Sequence, residues 1–387
     1  MAATKLREKI LLAIDETKKN LYEREELAKL IWLTIGADLN LLMLGDPGTA
    51  KTMLAVNLTR TIKDARIFRY TLNSFTTIDE IFGNFDLLEL KNNNKLKRNI
   101  ANKLLDCHVA YLDEFFKCNS GTLNALLDVM NEKTFTDSYG TTKLPLKFLI
   151  SSSNELPSEE DNLAAVLDRF QVKYLVKSIQ DHSVRINAYL QSGTAIDQIN
   201  QVISPDDIDE YRETVAQVEY TQEVSEMTEK IYQEIIKKSV YISDRTVFRT
   251  IPLVKAQAFL AGRNKVEPAD LLVLKDAFWN TMSEIKDVRK VIFDLADPIS
   301  GKIEEVWEAI QETIEQKTKE INDKGKDSSE SASISFELIK KINHAKDQIK
   351  KHVKVMEQHK TDTSDALLKV KTLEGKVAEL FDDGAFE

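Results

Sequence analysis

Residues 41–52, with the sequence LLMLGDPGTAKT, combine a short apolar run with a glycine-containing loop that ends in Lys51 and Thr52. The apolar run predicts a buried strand, and the apolar periodicity that follows the loop predicts a helix. Between them, Gly45 and Gly48 allow the chain to turn tightly. The loop is therefore predicted to hold phosphate groups with its backbone N–H groups at the helix N-terminus.

Each part of this loop has an expected role. Lys51 is expected to reach the β- and γ-phosphates of a nucleotide, and the Thr52 hydroxyl is expected to bind Mg²⁺. The other candidate binding residues are those of the loop itself: Gly45, Asp46, Pro47, Gly48, Thr49 and Ala50. The loop thus predicts ATP and Mg²⁺ as cofactors.

Position 50 departs from the usual loop pattern, in which a glycine precedes the lysine. Ala50 keeps the amide donor, and we expect it to need only a helical backbone at the start of the helix. The alternative is a strand–turn–helix unit whose lysine is merely exposed on the surface. The rest of the chain decides between the two.

The composition narrows the class of protein. With 387 residues, the chain is long enough for two or three domains. Its net charge of −10 argues against a protein that binds nucleic acid through bulk positive charge. Cys107 and Cys118 are too few for a disulfide framework, which favours a reducing, cytoplasmic setting. No signal peptide or membrane-spanning segment is expected.

Two acidic residues follow a second apolar run at residues 109–112. Asp113 and Glu114 would lie at the carboxyl end of a parallel strand, where open α/β sheets bind ligands. Asp113 is expected to complete the Mg²⁺ shell, and Glu114 to polarise the water that attacks the γ-phosphate. A solvated strand end is the alternative for the dipeptide alone, and the phosphate loop upstream makes it the weaker one.

Two further polar residues follow predicted elements. Asn154 comes directly after a buried strand at residues 147–153, where it could orient water between the γ-phosphate and Glu114. Arg169 lies at the end of a predicted helix and could simply pair with the neighbouring Asp168. From the residues alone, the role of Arg169 stays open.

The first part of the chain, residues 1–178, is predicted to form an α/β nucleotide-binding core. Residues at about 84–103 interrupt the pattern with apolar, asparagine and basic residues, which favours a projecting hairpin or loop. A disordered surface excursion is the alternative there. Residues at about 133–146 are predicted to form a second hairpin.

The rest of the chain is predicted to be helical. Residues 179–298 form a separate all-α domain, which includes a helix at 268–284. Residues 299–387 form a highly charged extension of two long helices in an antiparallel hairpin. A Lys/Asp/Ser linker at about 322–334 would join these two helices.

Together, these motifs resemble the MoxR group of the AAA+ ATPases, and most closely its RavA branch. The runs that carry the resemblance are AKT at 50–52, DEIFG at 79–83, LDEFFK at 112–117, LNALLDVMNE at 123–132, SNELP at 153–157, LDRF at 167–170, VYISDR at 240–245 and PADLLVL at 268–274. The resemblance implies a P-loop AAA+ core, with a parallel sheet between helices, followed by an all-α lid domain. It also accounts for Ala50, since loops of this group end in Ala-Lys.

The resemblance implies three further residue roles. Asn154 corresponds to sensor 1, and Arg245 corresponds to sensor 2, which contacts the γ-phosphate from the lid. Arg169 corresponds to the arginine finger, which acts on the nucleotide of the neighbouring subunit and therefore requires a ring. Arg249 is a nearby alternative to Arg245, which the Ser-Asp-Arg match favours.

The resemblance also implies a homo-hexameric ring that couples ATP hydrolysis to the remodelling or activation of a protein client. The segments at 84–103 and 133–146 would face that client. RavA-type proteins often act with a partner that carries a von Willebrand factor A domain, and their inserted β domain is not expected here, because the linker is too short. The alternative is an ATP-gated scaffold with little turnover. A DNA motor shares the fold, but the acidic charge counts against nucleic acid as a partner.

Overall fold

The computed structural model describes residues 2–137, 140–156, 164–191, 197–324, 329–358 and 363–382. Its strands are β1 (Leu41–Leu44), β2 (Ile67–Thr71), β3 (Val109–Asp113), β4 (Thr134–Asp137), β5 (Gly140–Lys143), β6 (Phe148–Ser153) and β7 (Val172–Leu175). Its α-helices are α1 (Ala2–Lys18), α2 (Glu25–Gly36), α3 (Lys51–Thr61), α4 (Ile78–Phe82), α5 (Leu87–Asn93), α6 (Ser120–Ala125), α7 (Leu127–Glu132), α8 (Ala164–Leu167), α9 (His182–Leu190), α10 (Pro205–Ala216), α11 (Gln222–Lys237), α12 (Asp244–Leu260), α13 (Ile285–Ala296), α14 (Pro298–Lys324), α15 (Ser329–Gln358) and α16 (Ser364–Asp382).

The chain divides into two compact units. The first comprises Met1–Ser178 and Ala195–Arg289, and the second comprises Ile179–Thr194 and Lys290–Glu387. The nucleotide-binding core and residues 195–289 of the predicted lid belong to one unit. The segment that contains α9 groups with the C-terminal helices, because α9 packs against α16.

The first unit is built on a parallel five-stranded sheet with the strand order β2-β3-β6-β1-β7. Every residue of β1 and of β6 is buried. Such continuous apolar burial is typical of parallel strands that are covered by helices on both faces. The predicted α/β core is thus confirmed.

The register of the sheet brings the ends of three strands together. Leu44 of β1 pairs with Ser153 of β6, and Leu112 of β3 pairs with Ser151 of β6. We call the side of the sheet at which these parallel strands end the carboxyl edge, and the side at which they begin the amino edge. The phosphate loop after β1, Asp113 at the end of β3, Glu114 directly after it and Asn154 after β6 all lie at the carboxyl edge.

The helices of the first unit bury their apolar faces against one another. Helix α1 packs against α2 and α3, and α2 also packs against α10 and α12. Trp32 of α2 is fully buried, and its Nε1 donates a hydrogen bond to Thr17 Oγ1 of α1 at 3.0 Å. This packing fixes the position of the lid helix α12 relative to the sheet.

Two segments extend from the sheet. Strands β4 and β5 form the antiparallel hairpin predicted at about 133–146, in which Thr134 pairs with Lys143, and residues 138–139 between them lie outside the described residues. The segment at 84–103 is closed by an antiparallel bridge between Phe85 and Arg98, as the predicted hairpin or loop requires, and it contains the short helix α5. Asp86 begins this helix, because its carboxylate accepts hydrogen bonds from two backbone N–H groups of the first turn.

The lid differs from the prediction after residue 268. A 3₁₀ segment over Pro268–Asp276 and a second short one over Met282–Glu284 replace the expected helix at 268–284. The second segment begins with a capping box between Thr281 and Glu284, which starts a new helical segment there. The residues that follow continue into α13.

Lys173 of β7 is a buried lysine with few polar partners. It is 3% exposed, its Nζ donates to Phe170 O at 3.3 Å, and the same atom lies 5.7 Å from the centroid of the Trp279 ring. Burial lowers the pKa of Lys173 to about 8. The folded protein therefore holds this proton more weakly than the unfolded chain. The charged lysine lowers the free energy of unfolding below pH 8, and this cost disappears as the pH rises towards the usual lysine value of 10.5.

We expect the Lys173→Met substitution to raise the free energy of unfolding at pH 7 by about 1–3 kcal/mol, since it removes a buried charge at similar volume. At pH 10 the difference between the variant and the native protein should shrink. Urea unfolding followed by circular dichroism at both pH values measures this. Lys63→Met, at an exposed position, is the control. A loss of stability at pH 7, or the same gain at both pH values, would contradict the role given to the charge.

The second unit is helical. Helix α15 packs between α14 and α16, and its buried residues Leu338, Ile342 and Ile349 form a core with Leu373 of α16. The extension is helical as expected, but it contains three long helices where the sequence predicts two. The predicted linker at 322–334 lies largely within α14 and α15, and its residues 325–328 lie outside the described residues. None of the described helices has both the length and the apolar character needed to cross a membrane.

Candidate nucleotide-binding site

The loop between β1 and α3 depends on two glycines. A Cβ atom at Gly45 would lie 2.2 Å from the backbone oxygen of Val176, so no larger residue fits there. Gly48 has a φ of +81°, a backbone conformation that side chains resist. Both positions therefore need glycine, as the phosphate-loop interpretation predicts.

Ala50 departs from the expected backbone. Its φ is +65° and its ψ is +19°, which is a left-handed conformation, whereas the sequence predicts a helical one. For an L-residue this region costs roughly 1–2 kcal/mol. A run of left- and right-handed residues turns successive N–H groups towards one side and so forms an anion-binding concavity. The loop thus imposes a glycine-like conformation on an alanine.

Lys51 is buried at the carboxyl edge, with 7% of its surface exposed. Its Nζ donates to Gly45 O at 2.5 Å, to Asp46 O at 2.9 Å and to Asn154 Oδ1 at 3.1 Å. Burial lowers the pKa of Lys51, and the neighbouring carboxylates, chiefly Asp113, oppose this effect. The alternative of a lysine exposed on the surface is therefore wrong.

Thr52 and Asp113 meet as expected for a Mg²⁺ site. Thr52 Oγ1 donates to Asp113 Oδ2 at 3.1 Å, although the two residues come from α3 and β3. Protein sites for Mg²⁺ typically offer one or two oxygen ligands, and water and substrate phosphates supply the others. One hydroxyl and one carboxylate at the end of the phosphate loop fit that requirement.

Two residues of this site were missed in the sequence. The Tyr111 hydroxyl lies 3.2 Å from Thr52 Oγ1 and 2.7 Å from Ser152 Oγ, and Ser152 Oγ donates to Asp113 Oδ1. Burial raises the pKa of Tyr111 to about 12, so the phenol stays protonated at neutral pH. Two features of the sequence could have identified these residues. Tyr111 is two residues before Asp113 and therefore lies on the same face of β3, and the buried strand β6 ends in serines.

Glu114 directly follows β3 and has a φ of +54°, which is unusual for a residue other than glycine. Its Oε1 accepts a hydrogen bond from Asn154 Nδ2 at 2.9 Å, and its Oε2 lies 3.2 Å from Lys117 Nζ. Strained backbone of this kind occurs where the surrounding structure directs a functional side chain. Glu114 and Asn154 are therefore brought together beside Lys51, as the sequence predicts.

Arg169 lies at the amino edge of the sheet. Its backbone oxygen accepts a hydrogen bond from Asn40, the residue before β1, at 3.0 Å. The four residues of β1 separate this point from the phosphate loop by about 13 Å. Arg169 Nη1 donates to Asp168 Oδ2 at 3.1 Å, as the simple pairing alternative expects. Its buried Nε has no hydrogen-bond partner among the described residues.

Arg245 lies beside Arg169. Its Nη1 is 3.6 Å from Asp168 Oδ2, and its Nη2 donates to Asn131 Oδ1. The resemblance implies that Arg245 contacts a γ-phosphate from the lid, and in the structure Arg245 lies at the amino edge. The reason is that α12 packs against α2 and α10, which sets the position of its first turn.

Arg249, the alternative to Arg245, belongs to the same group. It lies one helical turn further along α12, and its pKa is lowered by burial and by the charges of Arg245 and Arg169. Arg169 and Arg245 thus share the carboxylate of Asp168, and the same carboxylate influences Arg249 electrostatically. We call Arg169, Arg245 and Arg249 the arginine group. A surplus of positive charge at a partly buried site is suited to binding an anion.

Two family models match separate ranges of the chain. Residues 6–214 match a family described as the MoxR domain in MoxR-vWA-beta-propeller ternary systems, and residues 222–292 match an AAA lid domain. An uncharacterized protein of Methanocaldococcus jannaschii is 31% identical over 77% of this chain and 77% of its own length. A second one from the same organism is 31% identical over 80% of this chain and 81% of its own length.

A solved structure has the same fold. The crystal structure of a candidate ATPase from Cytophaga hutchinsonii superposes with a TM-score of 0.62 at 20% sequence identity. The match covers 76% of this chain and 94% of that one.

Proposed function

Because the chain belongs to the MoxR family of AAA+ ATPases, we propose that it hydrolyses ATP with Mg²⁺ in a homo-hexameric ring that remodels or activates a protein client. One observation carries this proposal: the phosphate-binding residues lie at the carboxyl edge of the sheet, and the arginine group lies at the amino edge. Identical subunits arranged head to tail can bring these two halves together, and such contacts close into rings.

The residues of the carboxyl edge have separable tasks. Lys51 exchanges its carbonyl partners for oxygens of the β- and γ-phosphates, while the loop amides hold the β-phosphate. Thr52 and Asp113 hold Mg²⁺, which neutralises charge on the phosphates when it is bound. Ser152 and Tyr111 fix the Asp113 carboxylate and the Thr52 hydroxyl through their hydrogen bonds.

Glu114 accepts a proton from the attacking water. Its carboxylate is already oriented by Asn154, whose side chain also contacts Lys51, and Asn154 orients the water that lies between Glu114 and the γ-phosphate. For this step, Glu114 Oε2 has to exchange Lys117 for the water. The water oxygen bonds to the γ-phosphorus as the bond between that phosphorus and the bridging oxygen of ADP breaks, so that ADP and inorganic phosphate leave, and the proton passes from Glu114 to solvent.

The arginine group acts on the nucleotide of the adjacent subunit. The guanidinium of Arg169 stabilises the negative charge that develops on the γ-phosphate. The buried Nε of Arg169 has no hydrogen-bond partner among the described residues, which supports an acceptor supplied by the adjacent subunit. Arg245 lies beside Arg169, so we propose that it also contacts the neighbour's nucleotide and not that of its own subunit.

The proposed partner is a protein that carries a von Willebrand factor A domain, because the matched family is described by ternary systems with such a component. The exposed apolar residues of α5, Leu87 and Leu88, support contact with a protein client. The RavA branch remains a finer proposal, which rests on the motif resemblance as a whole. A cytoplasmic location is supported by the two free, buried cysteines, Cys107 and Cys118.

An ATP-gated scaffold with little turnover is the second candidate. It is favoured by the contacts of Glu114, because Asn154 occupies one carboxylate oxygen and Lys117 lies beside the other. Neither oxygen is therefore free to bind the attacking water while these contacts persist. A ring that keeps these contacts when ATP is bound would hold ATP without cleaving it.

The concentration dependence of hydrolysis tests the proposal. We expect the rate of ATP hydrolysis per subunit to rise with protein concentration, because an isolated subunit lacks the neighbour's arginine group. Phosphate release, measured in parallel with the oligomeric state by light scattering, provides the data. A rate per subunit that does not change during assembly would overturn the shared site. Tight ATP binding without hydrolysis in assembled rings would favour the scaffold.

A further inference from the structure

Arg24, which precedes α2, is a buried arginine outside every motif considered above. Its exposed fraction is 6%. Its Nε and Nη2 donate to Thr49 O at 3.3 and 3.0 Å, Nη2 also donates to Lys177 O at 2.8 Å, and Nη1 donates to Glu23 O at 2.6 Å. All of these acceptors are neutral backbone carbonyls. The guanidinium therefore links three separate segments, and one of them is the phosphate loop.

The Thr49 carbonyl determines where the next amide points. In a trans peptide, the C=O of one residue and the N–H of the next point in opposite directions. Arg24 holds the Thr49 oxygen towards the α2 side of the loop through two hydrogen bonds. The N–H of Ala50 is consequently turned to the opposite side, away from Arg24.

The Thr49–Ala50 peptide, which Arg24 holds, precedes a residue with an unfavourable backbone conformation. Ala50 has the left-handed φ of +65°, which glycine adopts freely and alanine resists. If the Thr49–Ala50 peptide rotates, Ala50 returns to a favoured backbone region and its N–H leaves the loop concavity. Two hydrogen bonds from a buried charged donor oppose that rotation.

We propose that Arg24 is a positioning residue for nucleotide binding: it clamps the Thr49–Ala50 peptide in the left-handed conformation and so replaces the glycine that the loop lacks. This inference rests on the proposed nucleotide-binding function and adds to it a residue from outside the loop. The clamp is anchored at its other end by Lys177 O, which follows β7, and by Glu23 O. Burial lowers the pKa of Arg24, but the guanidinium stays charged at neutral pH.

Binding of a fluorescent ADP analogue to the full chain, measured by titration, tests the clamp. We expect Arg24→Met to weaken binding by about tenfold or more, which corresponds to the loss of hydrogen bonds from a charged donor. Ala50→Gly should then improve binding more in the Arg24→Met background than in the native chain, because glycine accepts the left-handed conformation without a clamp. Circular dichroism establishes that each variant is folded.

The matched control is Arg7→Met. Arg7 also donates from Nε to a backbone carbonyl, Leu260 O at 2.8 Å, but it lies between α1 and α12. Its substitution should leave nucleotide affinity unchanged. A purely structural role of Arg24 predicts lost stability with no rescue by Ala50→Gly, and that result would overturn the clamp.

Arg24→Lys separates the effect of the guanidinium geometry from the effect of the charge. It also provides the test of the clamp if Arg24→Met does not fold. Lysine keeps the charge but cannot span the carbonyls of Thr49, Lys177 and Glu23 with a rigid fork. We expect it to recover only part of the affinity. Native affinity in Arg24→Lys, or in Arg24→Met, would overturn the clamp and leave the proposed function intact. No binding by the native chain would overturn both.

Discussion

Replacing Glu114 by glutamine is expected to slow ATP hydrolysis by about 10²–10⁴-fold, while the affinity for ATP persists. Glutamine keeps the size of the side chain and can still contact Asn154, but it cannot accept the proton of the attacking water. The residues that bind phosphate, Lys51 and the loop amides, are unchanged by this substitution. Turnover and binding should therefore separate in a single variant.

Steady-state phosphate release and equilibrium titration with ATP measure the two effects. Glu155→Gln is the matched control, because Glu155 is exposed one residue after Asn154 and its substitution removes the same charge. Lys51→Ala provides the contrasting result, since it should abolish binding together with hydrolysis. Turnover that survives Glu114→Gln would exclude this carboxylate as the base, and a loss of ATP binding would assign it to the binding step.

The second large effect is expected for Arg169→Ala, which should lower hydrolysis by about 10³-fold or more if the guanidinium acts on the neighbour's γ-phosphate. The position of Arg169 at the amino edge makes a sharper test possible. Rings assembled from a mixture of Arg169→Ala and Glu114→Gln subunits should regain activity, although each variant alone is inactive. At some interfaces, an intact Glu114 of one subunit meets an intact Arg169 of the next.

The control mixture combines Glu114→Gln with Lys51→Ala subunits. Both substitutions damage the same half of the site, so no interface can combine two intact halves, and this mixture should stay inactive. Arg60→Ala, at an exposed position in the last turn of α3, controls for the loss of a surface arginine. Mixed rings of Arg169→Ala and Glu114→Gln that stay inactive would show that Arg169 does not act across the interface.

The carboxyl edge could be predicted because its residues are next to the strands that carry them. Once β1, β3 and β6 are recognised as parallel strands, their ends must meet at one edge, and Lys51, Asp113 and Asn154 come together without further information. The contacts of Lys51 with Asn154 and of Thr52 with Asp113 agree with that expectation. Tyr111 and Ser152 were not predicted as site residues, because a buried tyrosine or serine is more often part of the core.

The amino edge could not be predicted in the same way. Arg245 carries the sequence signal of a residue that contacts a γ-phosphate, but the signal contains no information about which subunit supplies the nucleotide. That depends on the packing of α12 against α2 and α10, over residues far apart in the chain. The pairing of Arg169 with Asp168 was foreseen from their adjacency, whereas the approach of Arg245 to the same carboxylate was not.

The sequence by itself determined the parallel strands, the phosphate loop and the two acids at the carboxyl end of β3, because apolar periodicity and short motifs act over neighbouring residues. Only the tertiary structure decided that Ala50 is left-handed, that Arg24 holds the peptide before it, and that Arg245 joins Arg169. Each of these depends on side chains and carbonyls from distant segments, whose meeting is set by the packing of whole elements and not by local preference.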